Sequence, residues 1–364
     1  MRNICFFNSI NFWGGGEKLH LEYALEFIDK QYHVILVSHP NSPLWQKAQA
    51  AQVKVYPIKA SGLSFLNPLK LKYLKNFFRK QNIDTVIFTT SQDAKLGGLA
   101  AKAAGVKKIV YLRGLAAPIK NSFINRYLFK HVLTHVVANS EATKKQIVAH
   151  LSPQSIRANV NTIYHGIDIQ VPDGETLTDI RLKGKGIILG NAGRLTHQKG
   201  QEHLLDLAQI LVEKKLNFTL FIAGTGELHQ ELKNDIKKRQ LEAHVILLGF
   251  VSNMKAFYQS IDVFLLSSLW EGFGYVLAEA MCFQVPIVAF RLSSNPELVN
   301  HDVNGFLVDY PNIQQFADYV ILLSENKETR EKMGKNGLNH VVMNFERKAK
   351  VDEFEKFLLK ENLL

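Results

Sequence analysis

A chain of 364 residues, 46% of them hydrophobic and with no low-complexity tract, is long for one core and of the size expected of two domains. Its formal charge of +11 is unevenly carried: residues 1–175 hold 22 Lys/Arg against 10 Asp/Glu, residues 176–364 hold 22 against 23, so only the first half is expected to meet an anionic partner. Cys5 and Cys282 stand far apart in apolar segments, as buried thiols of a reducing cytosolic setting do, and no apolar stretch reads as a signal peptide or a bilayer span.

The first half opens with a strand over 4–7, a loop carrying Gly14, Gly15 and Gly16, and a helix over 17–30. Strands at 33–38, 53–58, 85–89, 108–112 and 136–139 alternate with helices near 43–51, 68–81, 94–104, 125–133 and 141–151. After a polar connector at 172–176 the pattern restarts. Strands at 186–193, 218–224, 244–249, 263–267, 286–289 and 306–308 alternate with helices near 200–214, 228–239, 254–260 and 274–282, and helices from about 313 close the chain. This βαβ alternation predicts two α/β domains with mostly parallel sheets, both Rossmann-like and facing across a cleft, at 1–175 and 176–345. A C-terminal helix over about 346–364 is expected to pack back on the first. Ligands of such sheets sit beyond the carboxyl ends of the strands.

Two acids stand eight positions apart in the segment from Glu271 to Glu279, between two apolar runs. The segment reads strand, glycine-rich turn, helix, strand. A turn of this kind exposes backbone N–H groups that can hold an anion, and two carboxylates beside it suit a ligand part sugar and part phosphate. A helix-cap acid and a solvated helix residue would look the same on spacing alone. Arg194 and Lys199 fall on the loop after the strand at 186–193, where both could reach one diphosphate; taken alone, two loop cations are more often merely solvated.

The order of these features resembles the retaining, nucleotide-sugar-dependent glycosyltransferases of family 4, which have the GT-B fold. It runs Gly14-Gly15-Gly16, Arg194…Lys199, Gly224-Thr225-Gly226, Glu271…Glu279, Pro296-Glu297. The resemblance is strongest over 186–310, in "NAGRLTHQKG", "IAGTGE", "LLGFV", "LWEGFGYVLAEAMCFQVPIVA", "NPELV" and "NGFLV". It implies that Arg194 and Lys199 hold the donor diphosphate and that Glu279 accepts the ribose hydroxyls and Glu271 a sugar hydroxyl. It also implies that backbone N–H groups at Gly272, Phe273 and Gly274 face the distal phosphate or sugar, with Phe250 and Val251 bordering the base. Gly14 and Gly15, with Gly16 beside them, would let the first loop approach the phosphates, and Gly224 belongs to the same motif set. The resemblance implies no cofactor and no metal, since the cations and the helix end neutralise the diphosphate.

The sequence departs from the family pattern at two positions. Arg113 follows the strand at 108–112 where a histidine is usual; it cannot act as a base and reads as an electrostatic contact to donor or acceptor. Gln284 replaces a usual glycine. His165, in "IYHGID", reads equally as a substrate contact or as a support for the connector. His197 reads as a solvent-facing loop side chain, and Trp13 as a sugar platform or core residue.

Segments 69–80 and 119–130 interleave lysines and arginines with apolar and aromatic residues. Each fits a helix packed by one face, and together with the charge of the first half they lead to an anionic membrane surface or a phosphorylated lipid-linked acceptor. No nucleic-acid-binding signature accompanies the charge. The expected function is transfer of a hexose-like sugar from a nucleotide diphosphate to a glycan or lipid-linked hydroxyl in bacterial surface polysaccharide or lipopolysaccharide synthesis. The expected place is the cytoplasm or the inner membrane face. A sugar-nucleotide epimerase and a non-catalytic nucleotide- or glycan-binding module are the alternatives. A dehydrogenase is disfavoured because the triple glycine lacks the GxGxxG spacing.

Overall fold

The computed structural model describes residues 3–149, 151, 156, 158–169, 173–177, 180 and 183–360. Pro172 of the connector and the last residues of the expected C-terminal helix lie outside these. The chain forms two compact units, one of Met1–Tyr164 with Lys348–Leu364 and one of His165–Arg347.

In the first unit, strands β1 (Asn3–Asn8), β2 (His33–Ser38), β3 (Lys54–Pro57), β4 (Thr85–Phe88), β5 (Lys108–Arg113), β6 (His135–Ala138) and β7 (Asn159–Thr162) form one parallel sheet in the order β3-β2-β1-β4-β5-β6-β7. Helices α1 (Gly15–Asp29), α2 (Pro43–Ala50), α3 (Pro68–Lys80), α4 (Ser91–Ala104), α5 (Phe123–Tyr127) and α6 (Glu141–Ala149) intervene. The central strands are buried apolar runs, as strands covered on both faces must be. Helix α4 illustrates the local code. Thr90 caps it by accepting from the Asp93 N–H (3.2 Å), and Gly105 ends it with φ +84°. Gly97 lets it lie close on the sheet, since a Cβ there would come within 2.4 Å of the Phe88 ring.

The expected helix at 125–133 is instead α5 followed by a π-type turn over Leu128–Val132. Strand β7, Asn-Val-Asn-Thr at the sheet edge, is one the apolar pattern does not announce.

The second unit repeats the plan. Strands β8 (Ile187–Ala192), β9 (Phe218–Ala223), β10 (Val245–Gly249), β11 (Val263–Leu266), β12 (Ile287–Phe290) and β13 (Gly305–Val308) form a parallel sheet ordered β10-β9-β8-β11-β12-β13. Helices α7 (Glu202–Glu213), α8 (His229–Lys238), α9 (Met254–Tyr258), α10 (Tyr275–Cys282), α11 (Asn295–Leu298), α12 (Ile313–Glu325) and α13 (Lys327–Phe345) connect and cover it. In both sheets the strand order reverses beside the first strand, at β1/β4 and at β8/β11. In an open parallel sheet that is where a crevice opens beyond the carboxyl ends.

The division falls at Tyr164, ahead of the connector at 172–176. The physical reason is that Ile167 already pairs with the end of α13: its N–H donates to the Phe345 carbonyl (2.7 Å) and its carbonyl accepts from Arg347 N–H (3.0 Å). Arg347 also reaches Asp168 at 2.7 Å, and a Cβ on Gly166 would come within 2.5 Å of Arg347 Cα. The last helix, α14 (Arg347–Leu359), packs on the first unit, with Phe354 against Tyr23 and Phe27 and Lys30 paired to Asp352 and Glu355. Cys5 and Cys282 are buried and free.

Candidate active site

The loops at the carboxyl ends of β8, β9, β10 and β11 are fastened to one another by their backbones. Gly193 N–H donates to Ala223 (3.0 Å), Leu195 N–H to Thr225 (2.9 Å), Gly224 N–H to Gly249 (2.7 Å) and Leu269 N–H to Gln198 (2.9 Å). Such close approach demands glycine. Gly224 has φ +141°, and a Cβ there would lie 1.8 Å from the Gly193 carbonyl oxygen; one on Gly226 would lie 2.3 Å from that of Leu195. The "GTG" motif is therefore the seat on which the Arg194–Lys199 loop rests.

On that seat Lys199 Nζ meets Glu271 Oε1 at 2.6 Å, with the two side chains only 15% and 9% exposed. The lysine stem runs over Gly193. Its backbone is held by Ser267 Oγ, which donates to the Lys199 carbonyl (3.0 Å), and the turn closes at Gly200 with φ +58°. From the loop after β12, the neighbour of β11, Ser293 and Ser294 hydroxyls donate to the Glu271 carbonyl at 2.6 and 3.2 Å. Gln198 fixes the adjoining Trp270 carbonyl (2.9 Å). An anchored ammonium and an anchored carboxylate thus share the crevice of the second sheet.

The other sequence candidates of the second unit sit on neighbouring loops and on α10. Arg194 is exposed, its carbonyl held by Gln201 Nε2 (3.0 Å). Gly274, at φ +88°, caps α10, so the first N–H groups of that helix lie beside Gly272 and Phe273. Phe273 itself is buried against His165, Tyr275 and Phe345. Glu279, on α10, accepts from the hydroxyl of Tyr258 at 2.9 Å. Phe250, 80% exposed, and half-buried Val251 follow β10.

His165 is buried and stacked on Tyr275 (5.1 Å between centroids); burial drives its pKa down to about 3, so it is neutral at physiological pH and unsuited to proton transfer there. His197 is exposed beside Glu202.

The sequence reading missed Tyr258, Ser293 and Ser294. Tyr258 is wholly buried on α9, a side chain that periodicity assigns to the core; only its hydroxyl, whose pKa burial and the Glu279 charge push well up, ties it to the site. Tyr258→Phe tests the expectation that Glu279 contacts a nucleotide: on that expectation nucleotide binding weakens about tenfold, the worth of one hydrogen bond to a charged group, as titration calorimetry would measure.

The remaining candidates belong to the first unit. Gly14, with extended backbone, caps α1, which Gly15 and Gly16 begin; Trp13 lies under the Lys47 ammonium at 5.0 Å. Arg113 ends β5 and donates to the Tyr111 hydroxyl (3.1 Å) and the Ala117 carbonyl (3.0 Å).

The β1 and β4 tips are joined by a buried network. Ser9 donates through its N–H (3.0 Å) and hydroxyl (2.5 Å) to Asp93, Thr90 Oγ1 donates to Asp93 (2.6 Å), and Asn8 donates to Glu17 (2.9 Å). Burial, aided by the nearby Glu17 charge and opposed by these donors, raises the Asp93 pKa from 3.8 to about 6. The native state therefore holds this proton at pH values where the unfolded chain has lost it. Its stabilising share is complete below about pH 4 and is lost as pH rises through 6. Relative to wild type, Asp93→Asn should gain on the order of 2 kcal/mol of stability between pH 4 and pH 7, read from denaturant midpoints.

Gln284 sits at φ +58°, a left-handed conformation that explains why glycine suits this position. Gln284→Gly is expected to stabilise the fold by about 0.5–1 kcal/mol, visible as a higher denaturation midpoint.

These features define a class, a two-unit protein of GT-B fold with an ion pair at the switch of its second sheet, and the comparisons agree on the fold. The family described as Glycosyltransferase Family 4 matches residues 13–171 and that described as Glycosyl transferases group 1 matches 175–340. The chain belongs to the family 4 glycosyltransferases and is a transferase. It is 24% identical to the Escherichia coli UDP-Gal:alpha-D-GlcNAc-diphosphoundecaprenol alpha-1,3-galactosyltransferase, covering 94% of this chain and 92% of that one. It is 28% identical to the Campylobacter jejuni N-acetylgalactosamine-N,N'-diacetylbacillosaminyl-diphospho-undecaprenol 4-alpha-N-acetylgalactosaminyltransferase, covering 72% and 73%. The structure of Anabaena HepE in complex with UDP and glucose superposes with a TM-score of 0.83 at 22% identity, over 98% of this chain and 99% of that one.

Proposed function

We propose that this enzyme transfers a hexose-type sugar from a UDP-sugar to a hydroxyl of a lipid-linked glycan, with retained anomeric configuration and without a metal, in bacterial surface polysaccharide synthesis. The Lys199–Glu271 pair at the β8/β11 switch carries the reading. A sugar diphosphate needs a cation for its phosphates and an acceptor for its sugar hydroxyls within one ligand's length. Names of relatives support the substrates: the E. coli protein takes its donor from UDP-Gal, and both the E. coli and C. jejuni acceptors are diphosphoundecaprenol-linked.

In the proposed reaction the bond from the anomeric carbon to the β-phosphate oxygen breaks while the acceptor oxygen bonds to that carbon from the same face. The acceptor's proton passes to the departing diphosphate. Lys199 and Arg194 neutralise charge as it grows on that diphosphate, and the N–H groups at the start of α10 add to them. Glu271 orients a sugar hydroxyl and Glu279 the ribose. Cations and a helix end supply what a divalent ion would, so turnover is expected to survive EDTA unchanged.

A thermal-shift panel of UDP, GDP and ADP tests the donor. UDP at about 100 times its Kd adds about 2.7 kcal/mol and should raise the second unit's midpoint by roughly 5–10 °C. An equal shift with all three, or none, would overturn the choice. Retention is read by NMR of the product's anomeric proton.

The first unit is proposed to rest on an anionic membrane. Leu63, Leu66, Leu69 and Tyr73 are exposed together with Lys72, Arg79 and Lys80 on α3 and the turn before it, an arrangement suited to an interface of acyl chains and acidic headgroups. Among the described residues no helix is long and apolar enough to cross a membrane. Co-sedimentation should be strong with anionic vesicles and weak with neutral ones; equal, negligible binding to both removes the idea.

A further inference from the structure

On the first unit, a pocket of about 200 Å³ opens where β4 and β5 end, between the start of α4 and the segment 118–133. Its described lining carries two cations, Arg113 and Lys120, and no carboxylate. The Arg113 guanidinium is aimed by its bonds to Tyr111 and Ala117, while its Nε is buried with no partner. A guanidinium presents five N–H donors in a planar fork, so donor capacity remains here for an oxyanion. Ser91 adds a hydroxyl to the lining. The lining also includes Ile119, Leu128 and Phe129, which are apolar and buried.

A lining that combines two cations with buried apolar side chains and no carboxylate fits an oxyanion carried on a hydrocarbon stem. A free sugar would leave the apolar side chains unused, and a cation would be repelled. The volume is below that of a pocket for a whole drug-sized ligand and suits one phosphate with the first few carbons attached to it. The surrounding segment leaves Leu115, Phe123 and Tyr127 exposed, so an apolar tail leaving the pocket would still find apolar partners.

We propose that this pocket seats the phosphate of a prenyl-phosphate-linked acceptor, with Arg113 and Lys120 on the phosphate. Ile119, Leu128 and Phe129 pack against the first carbons of the lipid, and Leu115, Phe123 and Tyr127 meet the chain beyond. The proposal rests on the lipid-linked acceptor of the preceding subsection and gives Arg113, placed where the family usually has a histidine, a binding task.

Calorimetric titration of the full chain with farnesyl phosphate, farnesol and inorganic phosphate, and sedimentation with phosphatidylglycerol vesicles, test it. Farnesyl phosphate is expected to bind at least tenfold more tightly than farnesol or inorganic phosphate. Arg113→Gln/Lys120→Ala should weaken it at least tenfold while leaving the UDP-induced thermal shift intact. Should the double variant not fold, Lys120→Ala alone, at an exposed position, is expected to weaken farnesyl phosphate about threefold. Equal binding of farnesyl phosphate and farnesol, unaltered binding in the folded variant, or binding confined to phosphatidylglycerol vesicles would overturn the assignment; the last would point to a lipid headgroup instead. A missing UDP shift in wild type alongside intact farnesyl phosphate binding would instead remove the donor reading and leave the pocket standing.

Discussion

Lys199→Ala is expected to lower kcat/KM by about 100- to 1000-fold, the range observed when one fixed electrostatic partner of a developing anion is removed. The magnitude follows from where the ammonium sits. With its side chain 15% exposed and anchored to Glu271, it is largely shielded from water and needs no reorganisation when charge appears on the leaving diphosphate. Glu271→Gln keeps an acceptor for the lysine but removes its charge, and should lose turnover less than the alanine variant. Because the two groups touch, their effects are expected to be less than additive, so the double variant should be little worse than Lys199→Ala alone. Steady-state kinetics with a radiolabelled UDP-sugar would measure this, with thermal melts confirming that each variant is folded. Full turnover in Lys199→Ala would remove that residue from the reaction.

Gly224→Ala is expected to destabilise the second unit by roughly 3 kcal/mol and to abolish the UDP-induced thermal shift. The added methyl would lie 1.8 Å from the Gly193 carbonyl oxygen, a backbone atom that cannot swing aside, and φ of +141° is barely open to alanine. Relief requires the β9 loop to part from the β8 loop, which breaks the Leu195–Thr225 bond and unseats Arg194 and Lys199 together. Gly62→Ala, where an added methyl meets nothing within 4 Å, is the control and should change neither property. A Gly224→Ala protein with wild-type UDP response would show that the loop junction does not position the cations.

The alternation of strands and helices was legible because parallel strands buried on both faces are uninterrupted apolar runs. Phe218–Ala223 and Val263–Leu266 are read correctly to within a residue or two for that reason. Strand Asn159–Thr162 was not, since an edge strand of alternating Asn and Val/Thr shows no such run. The split of the compact units at Tyr164 had no signal in the sequence, because the pairing of Ile167 with Phe345 and Arg347 joins residues far apart, whereas a polar connector advertises itself. In the site, Lys199 and Glu271 could be named from motif order, but their contact across two loops could not. Tyr258 carried no signal at all: its ring obeys the helical apolar pattern, and only three-dimensional placement shows its hydroxyl against Glu279. The β1–β4 network was equally hidden, because Ser9 and Asp93 meet only when two sequence-distant strands lie side by side.

The position of α14 bears on how the polypeptide is made. Its Phe354 covers Tyr23 and Phe27, so the first unit is finished only by residues translated after the whole of the second. A nascent chain therefore carries an incomplete amino-terminal half, with aromatic rings uncovered, until α14 has been made. Residues 165–347, contiguous in sequence, have no such dependence and should be the portion that survives separate expression, while a fragment ending at Tyr164 should aggregate.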